Sequence, residues 1–177
     1  MRAHLRFRFL AALPLLAACA IPIESGANFS ANWEPDRTAT FAWRDTQDRI
    51  VGDSRLEGNE FFHQRLHEAV GWELSLRGLR YSETNPDLLI HHHLSLSDHV
   101  MESEMTDEVG NSRTESYVYE GGWLVVHIVD ARTDEDVWVA WAQGNVEPAF
   151  RSPDAMRSWV YDMVGHMFDD WPVPPRN

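Results

Sequence analysis

Residues 87–101 and 117–129 restrict the fold most, because each alternates side chains for longer than an ordinary strand of five or six residues. In the first run, Leu88, Ile90, His92, Leu94 and Leu96 fall on one face. Leu89, His91, His93, Ser95, Ser97 and His99 fall on the other. A period of two is incompatible with a helical stripe and requires a sheet with one buried face. Residues 137–146 read as a third strand of the same kind, and residues 38–43, with Phe41 and Trp43, as an earlier one. Leu79 to Tyr81 reads as a short strand, and Asn85-Pro86 as a turn.

Two segments change period. Residues 59–77 place Phe62, Leu66, Ala69, Val70 and Leu74 on one helical stripe, and Gly78 follows where a left-handed cap is expected. Glu73 stands one turn before Arg77 and is expected to pair with it at the helix edge. Ser152-Pro153-Asp154 supplies an N-cap, a first-position proline and a first-turn acid. Met156, Trp159, Val160, Met163, Val164, Met167 and Phe168 then form a stripe, which Pro172, Pro174 and Pro175 prevent from continuing. Residues 44–58 and 102–115 are polar and read as connections.

The expected order is β-α-β-β-β-α. It predicts an α+β fold: one two-layer domain, a mixed and mostly antiparallel sheet, and two helices on one face. The strand–helix–strand start favours a parallel pair, and the two later hairpins favour antiparallel neighbours. The second sheet face is then left open.

The N-terminus reads as an export signal. Arg2, Arg6 and Arg8 precede a short apolar run that ends in small residues before Cys19, the only cysteine. Leu16-Ala17-Ala18-Cys19 resembles the bacterial lipobox, which implies that Cys19 becomes the first mature residue and carries lipid. Ala20, where such lipoproteins retained at the inner membrane often have Asp, suggests the outer membrane, facing the periplasm. The expected organisation is therefore residues 1–18 as signal peptide, 19–37 as lipidated tether, 38–172 as the domain and 173–177 as a tail. Without residues 1–18, 12 arginines face 28 acids, a net charge of -16. Such a body is repelled by anionic headgroups and by nucleic acid, so the lipid on Cys19 is the expected membrane contact.

An aromatic pair (Phe41, Trp43) and a helix ending in Gly78-Leu79 begin a longer pattern. It continues through Asn85-Pro86-Asp87-Leu88-Leu89-Ile90 and Gly122-Trp123-Leu124-Val125-Val126-His127-Ile128-Val129-Asp130. A turn at Thr133, then Val137-Trp138 and Trp171-Pro172, complete it. In that order they resemble a bacterial lipoprotein family catalogued only as a domain of unknown function, number 4136. The resemblance implies an envelope lipoprotein domain. It implies no activity and no catalytic residues. The acidic stretch after Val100 and the three adjacent histidines are not among the resembling features.

No nucleophile elbow, phosphate loop or dinucleotide fingerprint occurs, so a non-enzymatic binding or scaffold module with no cofactor is expected. An envelope protein or a glycan is the expected class of partner, with Trp123 and Trp141 on the open face. The alternative is a metal-binding envelope protein, although no metal ligand is assigned. Its candidates are His91, His93 and His127. His91 and His93 share a face of their strand, and His127 joins them only in a register whose paired numbers add to an even value. The apolar pattern favours 220, with His93 opposite His127; a tight turn centred on Gly110-Asn111 would give 221 and send His127 to the other face. His63 and His67 lie one turn apart, but lack the following Glu of a zinc protease, and read as polar-face residues. Asp130, Asp134, Glu135 and Asp136 lack calcium-loop spacing and read as a solvated turn, as do Asp98, Glu102, Glu104, Asp107 and Glu108 as a solvated loop.

Overall fold

The computed structural model describes residues 22–31, 33, 38–44, 49–51, 55–56, 59–106 and 109–172. Strands are β1 (Glu24–Phe29), β2 (Thr40–Trp43), β3 (Arg49–Val51), β4 (Arg80–Tyr81), β5 (Leu88–Thr106), β6 (Ser112–Asp130) and β7 (Asp136–Asn145). Helices are α1 (Glu60–Leu76) and α2 (Pro153–Phe168), the latter preceded by a 3-10 turn at Glu147–Arg151. The strands form one sheet in the order β1-β7-β6-β5-β2-β4, and β3 pairs with β5 beside β2. The β2–β5, β3–β5 and β2–β4 pairs are parallel, and the rest are antiparallel. This is the mixed α+β sheet that the two periodicities predict.

The apolar stripes explain the two layers. Ile90, Leu94, Leu124, Val126, Ile128, Trp138, Ala140 and Ala142 are fully or almost fully buried on one sheet face. They meet Phe62, Leu66, Val70 and Leu74 of α1 and Val160, Met163, Val164 and Met167 of α2 in one core. The helix ends are built as their residue types require. Asn59 Oδ1 accepts the Phe62 amide at 3.1 Å, and Ser152 Oγ accepts the Ala155 amide at 3.1 Å. Gly78, at φ 96°, lets its own amide reach Ser75 O and the Leu79 amide reach Leu74 O. Leu79 and Leu74 are both buried, which completes a Schellman cap with its hydrophobic contact. Ser152→Ala is expected to lower stability by about 1 kcal/mol, read as a shift in urea midpoint at constant slope. An unchanged midpoint would show that the cap is redundant with the proline that follows it.

Arg77 ties the two helices together. It pairs with Glu73 at 2.5 Å, as its spacing predicts, and also donates to Phe168 O at 2.8 Å. Its guanidinium thereby satisfies a carbonyl at the C-terminal end of α2, where positive charge is favoured.

Four sequence expectations change. Residues 24–29, assigned to the tether, form edge strand β1 against β7. Little apolar alternation marks them because the helix-side positions are Ser25, Ala27 and Phe29, of which Ser25 donates its hydroxyl to His166 O at 3.2 Å and Phe29 is half exposed; on the open face, a Cβ on Gly26 would lie 3.1 Å from the Trp141 ring. Residues 102–106 and 112–115, read as loop, are paired strand. The β5–β6 hairpin runs on past Gly121, where β7 pairing ends, as a two-stranded arm of about 25–30 Å. With both faces wet, an arm of this kind needs no alternation. The short strand β3 falls in a stretch read as a connection, and it borrows its regularity from β5. The hairpin numbers add to 218, so His91 and not His93 lies opposite His127. Burial of one face sets the parity, but the two-residue step depends on the loop closing at Thr106 and Ser112.

Candidate metal centre

The even register has a chemical consequence. His91, His93 and His127 all project from the sheet face that carries no helix, two from β5 and one from β6. Neighbouring pairs of the same ladder that face the other way, Ile90 with Ile128 and Leu94 with Leu124, are buried under the helices. The core thus holds the three imidazoles on one side. One nitrogen from each ring lies within 4.8 Å of a nitrogen from the other two. His91 and His127 stack at 4.5 Å with planes 8° apart. His93 meets both edge-on, at 5.4 and 5.3 Å.

His91 is the enclosed member, at 8% exposure, and its Nδ1 has no hydrogen-bond partner among the described residues. Burial, followed by the neighbouring imidazoles of His127 and His93, pushes its pKa down to about 4. The ring is therefore neutral at pH 7, with a lone pair available. His127 Nδ1 lies 3.1 Å from Asp136 Oδ1. An ionised carboxylate only accepts, so this contact places the His127 proton on Nδ1 and leaves the lone pair on Nε2. Arg44 opposes positive charge at His91 while Asp136 favours it, and Arg44 is itself paired with Asp134.

The other histidine pair has a different fate. His67 stacks flat on Trp43 at 3.7 Å, and His63 lies 5.2 Å from the ring of fully buried His92. His63 and His67 are half-buried packing residues, not members of a solvated polar face. Nothing in the helical spacing alone could reveal this, because His92 enters from the sheet. In the acidic turn the carboxylates of Asp130, Asp134 and Asp136 are engaged, Asp136 with His127. Asp130 Oδ1 accepts the Arg132 and Thr133 amides at 2.8 and 3.1 Å, which, with the Arg132 side chain, lowers its pKa. Asp134 pairs with Arg44. Asp98, Glu102 and Glu104 lie on the hairpin arm, and Asp107 and Glu108 lie outside the described residues.

Trp123 and Trp141 stack at 5.2 Å on the open face, as their parity predicts, with Trp123 43% exposed. An open groove between α1 and β4 is lined by Trp43, His67, Glu68, Ser75, Arg80 and Tyr81 among others. The Ser75 hydroxyl there donates to Trp72 O at 2.7 Å within its own helix.

A two-layer α+β domain with an open sheet face is the class that these elements define. The chain belongs to the family described as domain of unknown function DUF4136, whose model matches residues 24–173. That match begins at β1, in agreement with the strand that the sequence reading assigned to a tether. Among solved structures, the chain is similar to a PDZ domain protein from Parabacteroides distasonis, at 14% identity and a TM-score of 0.50. The similarity covers 89% of this chain and 38% of that one, so this chain spans well under half of that protein. A PelC dodecamer from Paraburkholderia phytofirmans is matched at 8% identity, over 82% of this chain and 96% of that one, at a TM-score of 0.46. No curated protein matches the chain in sequence.

Proposed function

We propose that the protein is a lipid-anchored lipoprotein of the bacterial envelope, held at the periplasmic side of the outer membrane. Its domain acts there as a non-enzymatic binding or scaffold module. The observation that carries this reading is the position of Leu16-Ala17-Ala18-Cys19, after a basic and apolar leader and immediately before a folded domain. Lipid on Cys19 would leave four residues, Ala20 to Ile23, before β1 begins at Glu24. The span from Cys19 to Glu24 is then at most about 18 Å. This brings the acidic body closer to the bilayer than a tether reaching residue 37 would. The sheet face without helices, with its stacked Trp123 and Trp141, supports an envelope protein or a glycan as the class of partner.

The test is Cys19→Ser, compared with wild type for incorporation of labelled palmitate and for membrane fractionation. Serine lacks the thiol that is alkylated. The wild type is expected to carry label and sediment with membranes, and the variant to carry none. Label retained by the variant would place the lipid elsewhere and overturn the anchor.

A further inference from the structure

We propose that His91, His93 and His127 form a three-imidazole site for one late first-row divalent metal ion, Zn²⁺ or Cu²⁺, on the open sheet face. This deepens the binding reading by naming a ligand, and it does not depend on the lipid. Three observations converge on it. First, the three rings come from two adjacent strands whose parity is held by the buried face and whose register is held by the hairpin closure, so the backbone is already placed. Second, one nitrogen from each ring lies within 4.8 Å of the others. Ligation at the usual Zn–N length of about 2.0–2.1 Å needs separations of about 3.3 Å. Rotation of the side chains from their stacked arrangement supplies that change. Third, the enclosed His91 Nδ1 has no hydrogen-bond partner among the described residues, and Asp136 engages Nδ1 of His127, leaving the lone pair on Nε2. A carboxylate on the non-ligating nitrogen of a metal-bound histidine orients the ring and raises its basicity.

The donor set decides the class of ion. Imidazole nitrogens suit zinc, copper and nickel, whereas calcium and magnesium take oxygen ligands. Three protein ligands on an exposed face leave the fourth position to water or to a donor from a partner. Trp123 and Trp141 stack on the same face: Trp123 lies four residues along β6 from His127, beyond Val125, and Trp141 lies two residues along β7 from Val139, the partner of His127. A donor group on a molecule resting on those rings is therefore within reach of the open position.

The full-length protein in detergent is titrated with ZnSO₄, CuSO₄ and, separately, CaCl₂, by calorimetry and by competition with a chromophoric chelator. One Zn²⁺ per chain is expected at a Kd below micromolar, with Cu²⁺ tighter and no heat from Ca²⁺. His91→Ala, His93→Ala and His127→Ala are each expected to weaken Zn²⁺ binding at least about 100-fold. Asp136→Asn is expected to weaken it about 10–100-fold. His63→Ala, on the opposite face, should leave it unchanged. X-ray absorption at the zinc edge of the wild type should show three imidazole nitrogens, and it remains decisive where a variant fails to fold. Binding weaker than about 100 μM, a shell without imidazole, or full affinity in His127→Ala would overturn the site. The Cys19→Ser protein, titrated in parallel, is expected to bind equally, so failure of the anchor and failure of the metal site are separately visible.

Discussion

Trp138→Ala is expected to destabilise the domain by about 3–5 kcal/mol, the cost of deleting a large aromatic from a closed core. Trp138 is fully buried on β7 and packs against Phe168 at 4.8 Å and Trp171 at 5.2 Å. Trp33 meets Trp171 edge-on at 5.5 Å, so this cluster joins the sheet, the end of α2 and the segment after β1. Little can collapse into the vacated space, because Arg77 holds the end of α2 through Phe168 O and covers the Phe168 ring at 4.8 Å. Trp138 Nε1 is buried with no hydrogen-bond partner among the described residues, so its contribution is packing alone. Trp138→Phe also removes that unsatisfied donor, and should therefore cost much less than the alanine change. Denaturant unfolding of both variants gives the comparison. Equal losses in the two would mean that the indole N–H has a partner, and that the cluster is not held by packing.

Leu66→Ala should cost about 2–5 kcal/mol by the same measurement. Leu66 is fully buried at the middle of the α1 stripe, between Phe62 and Val70, which are also fully buried. The neighbouring Phe61, at 71% exposure, provides the contrast: Phe61→Ala removes a larger side chain from the other side of α1 and should change stability by no more than about 0.5 kcal/mol. A domain of this size is stable by only about 5–15 kcal/mol, so the Leu66 loss is a large part of the total. An unchanged midpoint for Leu66→Ala, or a larger loss for Phe61→Ala, would mean that α1 presents the opposite face to the sheet.

Both of these residues were legible in the chain because amphipathic period and burial are the same fact seen twice. Phe62, Leu66, Ala69, Val70 and Leu74 are the buried residues of α1, and the seven stripe residues of α2 are all buried. The caps at Gly78 and Ser152 were equally legible, since each is a local exchange between one side chain or φ angle and nearby amides, whereas Asn59, read as the first helical residue, is the N-cap. Where the chemistry is not local, the sequence was silent or misleading. β1 lacks alternation because its core-side Ser25 donates its hydroxyl to His166 O on α2, a residue more than a hundred positions away. The hairpin arm lacks it because neither of its faces is covered.

The histidines divide along the same line. Alternation alone placed His91 and His93 on one face and His92 on the other, and His92 is indeed fully buried on the helix side. It also required that His127 join the first pair if the register was even, since an odd register would have exposed Leu124, Val126 and Ile128 to water. The order of residues along the chain therefore carries parity: which side chains share a face, set by the two-residue period and the need to bury apolar surface. The step along the strand, which sets His127 opposite His91, and the enclosure of His91 between two other rings emerge in the folded molecule. Those depend on where a long hairpin closes and on side chains brought together from separate strands, and no spacing along one segment encodes either.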